Sequence, residues 1–481
     1  MEGSEELFYN FIFEKAGEIK EMRKGIGGIK GKWMRVAAIL VAGVLLCTGC
    51  GNGSGDAETV RESTEWQDEN ITAETEGGQQ SGSADGNDGE TQTIDAEGYD
   101  SEGLWDANAT VQTDGETQND ETVVSAEDEA EGEAQDGATV SLVMVGDILL
   151  HTPVAESGLR VDGSYDFAPL FANVADKIES ADLALVNQEV IIGGEELGIT
   201  GYPCFNAPYE LGDALADTGF NVILHATNHV MDKGKKGVLN CLEFWNTNYP
   251  QMPVLGIHES EEDAEKIYIY EQDGMKIAIL NYTYGTNGIA LPSDMPYAVD
   301  LLEEEKVKRD LEKARELADF VIVCPHWGTE YSLGISAQQE KWTRLFLENG
   351  VDLVIGTHPH VIEPVEWVTD GDGREMLVYY SLGNFVNWTS GTGDGVANRM
   401  VGGMAEVELS RNEQGEVTIS DYDVEPLVCH LEKGQGGVTT YFLKDYSEEM
   451  AQKNEIRKQD SAFSFAYCLN LCENVWGTLV E

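Results

Sequence analysis

The pentapeptide Gly356-Thr357-His358-Pro359-His360 sets two imidazoles two residues apart around a proline. Read alone, it fits a pair of metal ligands and a polar surface turn equally well. Its neighbours add information, because the apolar run Val351-Asp352-Leu353-Val354-Ile355 leads directly into it. Four other apolar runs also finish on residues with ligand atoms: 139–147 on Asp147, 182–189 on Glu189, 221–229 on Asn228 and His229, and 320–328 on His326. Only eight histidines occur in the chain, and four of them fall in this set. Carboxylate, imidazole and amide oxygen together suit Mn, Fe, Ni or Zn rather than Ca. The set Asp147, Glu189, Asn228, His229, His326, His358 and His360 holds more donors than one ion takes. Two divalent ions bridged by a carboxylate would use them, with the water between the ions as nucleophile. The chemistry expected is therefore metal-assisted hydrolysis. For any single residue the competing role is a helix cap or a loop hydrogen bond, and only the shared placement of the whole set argues against it.

Positioning such a set requires strands that end together. The runs just named, with 276–282 and 376–385, are short and rich in β-branched residues, as strands buried on both faces are. Between them lie helical patterns, most plainly 301–319, where Leu302, Leu311, Ala314 and Leu317 or Ala318 recur near helical spacing among charges. Alternating strands and helices predict an α/β layered domain. In open α/β sheets, ligands gather at the carboxyl ends of strands, which is where the candidate residues stand.

The 481 residues carry a formal net charge of −58, spread over unlike regions. Residues 1–50 read as an N-terminal extension with a lipoprotein-type signal segment. There Lys20, Arg23, Lys24, Lys30, Lys32 and Arg35 precede an apolar run that ends Cys47-Thr48-Gly49-Cys50. The run is shorter than the ~20 residues that span a bilayer, so a cleaved signal fits better than a transmembrane helix. Its end resembles a bacterial lipobox, with Cys47 where leucine is usual, which makes Cys50 the expected lipidation site. An uncleaved anchor, or a start at Met22 or Met34, is the competing account of this segment. On either account the rest of the chain is expected outside the cytoplasm, on the outer face of the cell membrane.

Residues 51–138 hold 26 acidic side chains against the single basic Arg61 and hardly any aliphatic ones. Such a segment cannot bury enough apolar surface to offset chain entropy and is expected to be a disordered, self-repelling tether. The remainder divides into a folded domain, 139–430, and a C-terminal helical extension, 431–481. It is acidic too and has no basic stripe, so nucleic acid is excluded as a partner. Beyond Cys50, none of the six cysteines forms a C-x-x-C pair, so neither a zinc knuckle nor a dense disulfide framework is expected.

The motifs Met144–Leu150 (MVGDILL), Leu185–Glu189 (LVNQE), Ala226–Gly234 (ATNHVMDKG), Pro325–Tyr331 (PHWGTEY), Gly350–Val361 (GVDLVIGTHPHV) and Tyr379–Phe385 (YYSLGNF) follow in that order. Together they resemble the bacterial capsule-synthesis CapA family, the poly-γ-glutamate synthesis protein domain, over about residues 140–390. The resemblance implies a four-layer α/β/β/α sandwich of the calcineurin-like metallophosphoesterase type with its metal centre at the strand ends. It assigns Asp147 to the first metal, Glu189 to the bridge and Asn228 to the second metal, with His326, His358 and His360 completing both shells. His229 is implied as the histidine that stabilises or protonates the reacting oxyanion, and Asp232 as its orienting carboxylate. Glu330 is a candidate for contacting substrate. In phosphoesterases proper the first motif is Asp-x-His, whereas the nearest histidine here is His151, read as a loop histidine rather than a ligand.

The same resemblance implies an anionic capsule polymer, most directly poly-γ-glutamate, or its synthase complex as partner. Two roles follow from it: a membrane-anchored dimetal hydrolase of polymer synthesis or export, or a non-catalytic scaffold that anchors the synthase or its product. An acidic protein repels a polyanion, so either role calls for bound metal ions or a local basic group. The asparagine of the Ser381–Phe385 segment is expected to bond local backbone, and Trp327, Tyr331 and Trp388 to line the cleft or pack in the core.

Overall fold

The computed structural model of the chain describes residues 138–477. Cys50 and all but the last residue of the acidic segment 51–138 lie outside the described residues. The first strands are β1 (Thr139–Ile148), β2 (Leu183–Asn187), β3 (Val222–Leu224) and β4 (Val254–Leu255). Next come β5 (Tyr268–Gln272), β6 (Met275–Thr283), β7 (Phe320–His326), β8 (Leu353–Ile355), β9 (Val365–Thr369) and β10 (Glu375–Tyr379). The last are β11 (Asn384–Val386), β12 (Val401–Arg411), β13 (Val417–Leu431) and β14 (Val438–Phe442). One sheet has the order β14-β13-β12-β1-β2-β3-β4, with β11 also paired to β1, and the other the order β5-β6-β7-β8-β10-β9.

The apolar runs alternate between two cores because successive side chains of a strand point to opposite faces. Along β7, Phe320, Ile322 and Cys324 join the core shared with the first sheet. Val321 and Val323 join a separate core beneath the helices Glu304–Leu317 and Ala337–Glu348. Strand β10 divides the same way, Leu377 and Tyr379 inward and Met376 and Val378 outward. Between the sheets the Cys324 thiol meets the Met144 thioether at 3.8 Å, and the Tyr379 hydroxyl donates to the Asp423 carbonyl at 2.9 Å. The helices Tyr209–Thr218 and Gly234–Asn248 bury Leu211, Leu215, Val238 and Cys241 against the first sheet. The result is a two-sheet α/β core flanked by helices, the arrangement of the calcineurin-like metallophosphoesterases.

Two expectations change in detail. The helix expected over 301–319 begins at Glu304 and buries Val307, Leu311 and Ala314, whereas Leu317 is 52% exposed. Leu302 precedes the helix, its amide held by the Thr283 carbonyl. Val307 satisfies the i, i+4, i+7 stripe with Leu311 and Ala314, so it takes the core position instead. Residues 431–481 are not helical throughout: β14 pairs antiparallel with β13 at the sheet edge before the helices Glu448–Lys453 and Phe465–Trp476. Cys468, Leu471, Cys472 and Trp476 then pack into the core of the first sheet. All six cysteines of the described residues are free thiols, and Cys204 alone among them is exposed. No helix among the described residues is long and apolar enough to cross a membrane.

Within each sheet the central strands run parallel: β1 with β2 and β3, and β6 with β7 and β8. Their carboxyl ends therefore lie at one end of each sheet. The Asn281 side-chain oxygen of β6 accepts from the Ala226 amide beyond β3 at 2.7 Å, which joins those ends across the sheets.

Near this seam His258 is buried with Nε2 at 2.8 Å from Asp300 and Nδ1 at 3.5 Å from Asp263. Burial alone would lower its pKa, but the two carboxylates outweigh it and raise it to about 9. A raised histidine pKa stabilises the fold fully below its unfolded value of about 6.5, and the contribution is lost as pH climbs through the folded value. Urea midpoints should therefore fall between about pH 6.5 and 9.5 by an amount corresponding to roughly 2–3 kcal/mol. In His258→Gln that decline should flatten.

Candidate metal centre

Each candidate ligand is delivered by a strand end that something else holds tightly. Asp147 ends β1, and its amide donates to the Gly383 carbonyl at 3.0 Å. That approach requires glycine at 146, since a Cβ there would stand 1.9 Å from the Gly383 oxygen. Gly356 at the end of β8 is constrained alike, a Cβ there falling 2.1 Å from the Tyr380 oxygen. Beyond it, His358 and His360 adopt φ of 101° and 59°, in the left-handed region that side chains other than glycine rarely enter. Such a residue costs on the order of 1–3 kcal/mol and persists only where surrounding contacts impose it. Here they do: the His358 amide reaches Asp147 Oδ2 at 3.3 Å, and the His360 carbonyl accepts from Asn384 Nδ2 at 3.0 Å.

The donors converge in two overlapping groups. Asp147, Glu189 and His360 form one, and Glu189, His326 and His358 the other, the ligand atoms in each lying within 4.8 Å of one another. Glu189 belongs to both. His360 Nε2 is 3.7 Å and His326 Nε2 3.8 Å from Glu189 Oε1. Thr357 Oγ1 holds His326 Nδ1 at 3.0 Å, which aims Nε2 at Glu189 and at Asn228 Oδ1, 3.1 Å away. Asn228 Nδ2 is turned outward onto Asn287 Oδ1 at 3.3 Å, so its oxygen faces the group. His360 Nδ1 lies 3.0 Å from Asp147 Oδ2 and 3.1 Å from Asn384 Oδ1.

The electrostatics favour cations in this space. Glu189 is fully buried, and neither of its oxygens has a hydrogen-bond partner. Leaving an ionised carboxylate so costs several kcal/mol. Burial accordingly pushes the Glu189 carboxyl well above the usual range, with Asp147 adding to the rise against the opposing pull of His360. Burial pulls His326 and His358 well down, so both imidazoles are neutral, the form that ligates a metal. Burial also lowers His360, but the Glu189 and Asp147 carboxylates outweigh it and raise it to about 9. His358 Nδ1 is a further buried atom without a partner. The cluster of His, Asp and Glu side chains is thus arranged to hold two divalent metal ions. Partnerless oxygens beside the neutral imidazoles of His326 and His358 are what bound cations would satisfy, and the donor chemistry matches Mn, Fe or Zn.

Over this centre opens a cleft of about 610 Å³ lined by His229, Asp232, Glu330, Tyr331, His360 and Arg399 among others. His229 Nδ1 is 2.7 Å from Asp232 Oδ2, which also accepts from the Phe205 amide at 2.7 Å. Exposed Glu330 groups with His358 and His360 in a third donor set at the rim. His151 lies in the cleft wall with its ring edge-on to Phe205 and belongs to none of the donor groups among the described residues. Burial, with His360, His229 and Arg399 nearby, holds its pKa at about 4, so it is neutral. Trp327 is buried against Phe346 and Tyr380, whereas Tyr331 is 45% exposed in the cleft. Asn384 bonds backbone as expected of it and also faces His360. Asn187 was missed: its Nδ2 donates to Asp147 Oδ1 at 2.8 Å. It sits two residues before Glu189 at the end of an apolar run, the same signal that marked the others.

Glu189→Gln tests whether the buried carboxylate is there for cations. Without metal, the variant should be at least as stable as the wild type, since an amide needs no counter-charge. With ions at a hundredfold excess over their dissociation constant, the wild type should gain about 5 °C or more in unfolding midpoint, and the variant much less. Elemental analysis should find about two ions per wild-type chain and fewer in the variant.

Known proteins resemble this chain in sequence. The chain is 32% identical over 216 residues to the "PGA biosynthesis protein CapA" of Bacillus subtilis (strain 168), covering 44% of this chain and 52% of that protein. To the "Capsule biosynthesis protein CapA" of Bacillus anthracis it is 27% identical over 262 residues, 52% of this chain and 61% of the relative. The chain thus spans between half and two thirds of the length of these relatives. Among solved structures, a putative 5'-nucleotidase from Staphylococcus aureus aligns with a TM-score of 0.37 at 14% identity, over 60% of this chain and 54% of that one. A hypothetical protein from Thermus thermophilus aligns at 0.36 and 14%, over 60% and 98%. The model of the family "Bacterial capsule synthesis protein PGA_cap" matches residues 141–389, the stretch that carries every donor of the centre. This chain belongs to that bacterial capsule synthesis protein family.

Proposed function

We propose that this protein is a membrane-anchored, dimetal-dependent hydrolase acting on an anionic capsule or envelope polymer, with poly-γ-glutamate as the favoured substrate. The observation that carries the reading is the partnerless, fully buried Glu189 shared by two donor groups beneath an open cleft. The names of the two relatives, a PGA biosynthesis protein and a capsule biosynthesis protein, support a capsule polymer, and the apolar segment ending in Cys50 supports the anchor.

When bound, the two ions would furnish a nucleophilic water at neutral pH and a Lewis-acidic seat for the substrate oxygen. The chain's own residues do the rest. Asp147, Glu189, Asn228, His326, His358 and His360 fix where that seat lies. Asp232 occupies His229 Nδ1, so Nε2 is the nitrogen left to donate to a developing oxyanion or departing group. Glu330, exposed at the cleft rim beside His358 and His360, contacts the substrate in this reading.

Full-length protein reconstituted with Mn, Fe or Zn should cleave a generic phosphodiester or a γ-glutamyl oligomer. His229→Ala should lower kcat by roughly 10²–10⁴ without changing metal content. His360→Ala should lose both activity and at least one ion. A metal-free protein that retains full activity would refute the reading. Capsule output unchanged by His229→Ala but abolished by Cys50→Ala would favour the scaffold role instead.

A further inference from the structure

Arg399 is the one lysine or arginine among the residues that line the metal cleft. It is half-buried and held from several directions. Its Nη1 donates to Thr389 Oγ1 at 2.9 Å, and its guanidinium carbon lies 3.5 Å from the centre of the Tyr331 ring. Its backbone carbonyl accepts from Asn384 Nδ2 at 2.9 Å and from Asn387 Nδ2 at 3.4 Å. These supports reach the metal centre itself: Asn384 Oδ1 faces His360, and the Tyr331 amide donates to the Pro359 carbonyl at 2.7 Å. The Tyr331 ring lies 5.9 Å from the His360 ring, so Arg399 is separated from a candidate ligand by one aromatic layer.

An arginine in that position answers the electrostatic difficulty of this protein. The chain carries a formal net charge of −58, which disfavours the approach of a polyanion. Arg399 makes no ion pair among the described residues, so its charge is not spent within the fold. Stacking covers one face and Thr389 takes one N–H, which leaves other N–H groups of the fork for an oxyanion. A lysine could not be held this way, since only a planar guanidinium stacks and presents paired donors.

We propose that Arg399 is the oxyanion receptor of the cleft, binding a carboxylate or phosphate group of the substrate while the adjoining linkage lies over the metal centre. This deepens the hydrolase reading, on which it rests, by specifying that the substrate bears an anionic group beside the bond attacked. Because one arginine serves the cleft, it selects a single anion next to the metals rather than gripping a long charged run.

The test is calorimetric binding of two probes, a γ-linked glutamate trimer and inorganic phosphate, to metal-loaded full-length wild type, Arg399→Gln and Arg399→Lys. Metal content and unfolding midpoint are checked for each. Arg399→Gln should weaken trimer binding roughly 10- to 100-fold, the loss of charge-assisted hydrogen bonds, with ion content unchanged. Arg399→Lys should recover part of that loss, because it keeps the charge and forfeits the fork. If the wild type binds phosphate but not the trimer, and Arg399→Gln loses the phosphate, Arg399 is an oxyanion receptor and the polyglutamate reading fails. If the wild type binds the trimer and Arg399→Gln binds it equally well, the receptor inference fails while the polymer reading survives. Wild-type protein that binds neither probe would overturn the inference.

Discussion

One buried carboxylate organises this molecule. Glu189 is removed from water with no hydrogen bond to either oxygen, a state that costs several kcal/mol unless positive charge lies beside it. The neighbours conform to that demand. His326 and His358 are neutral and able to ligate, His360 balances charge with Asp147, and Asn228 turns its amide oxygen inward. Two sheets are needed because no single strand edge could surround such a group. Asp147 and Glu189 arrive from the first sheet, and His326, His358 and His360 from the second.

Assembling donors from two sheets imposes backbone conditions that local preference would oppose. Two non-glycine residues in the left-handed region, at His358 and His360, are unfavourable on their own. They are tolerated because Gly146, Gly356 and Gly383 let neighbouring segments approach within hydrogen-bonding reach, so the histidine loop is clamped between β1 and the turn into β11. Strain concentrated at ligand-bearing residues is common where geometry serves a site rather than the fold. The proline between the histidines fits this role, since its carbonyl anchors Tyr331 while its ring restricts the loop.

The acidic charge of the chain bears on what its cleft can receive. Over a strongly negative protein, the places that can receive an anion are those with bound cations or an uncompensated arginine. His360 of the donor cluster and Arg399 border the same cleft, which His229 and its Asp232 partner also line. Membership of the capsule synthesis family accords with that disposition, and the family match, residues 141–389, carries every candidate donor of the centre.

Much of this was legible from residue order because burial leaves a pattern in a strand. Runs such as Phe320–Cys324 are apolar at every position since both faces pack, and a polar residue interrupting such a run at its end is conspicuous. That is why Asp147, Glu189, Asn228, His326, His358 and His360 could be named together. Asn187 escaped although it too ends an apolar run, because Glu189 two residues on took the role of that strand end, and only the folded chain sets Asn187 against Asp147. Arg399 escaped for a stronger reason: it lies in a glycine-rich stretch with no periodicity, and only packing against Tyr331 gives it a role. The helix Glu304–Leu317 took its register from Val307 rather than Leu302 because the chain entering it is bound to Thr283. Amino-acid order alone determined the layered architecture and nominated the candidate donors, since hydrophobic period and residue chemistry are local properties. Tertiary structure decided which candidate donors lie around Glu189, which histidine nitrogens face it and which charged side chains line the cleft, because those depend on distances between segments that the chain brings together only when both sheets close.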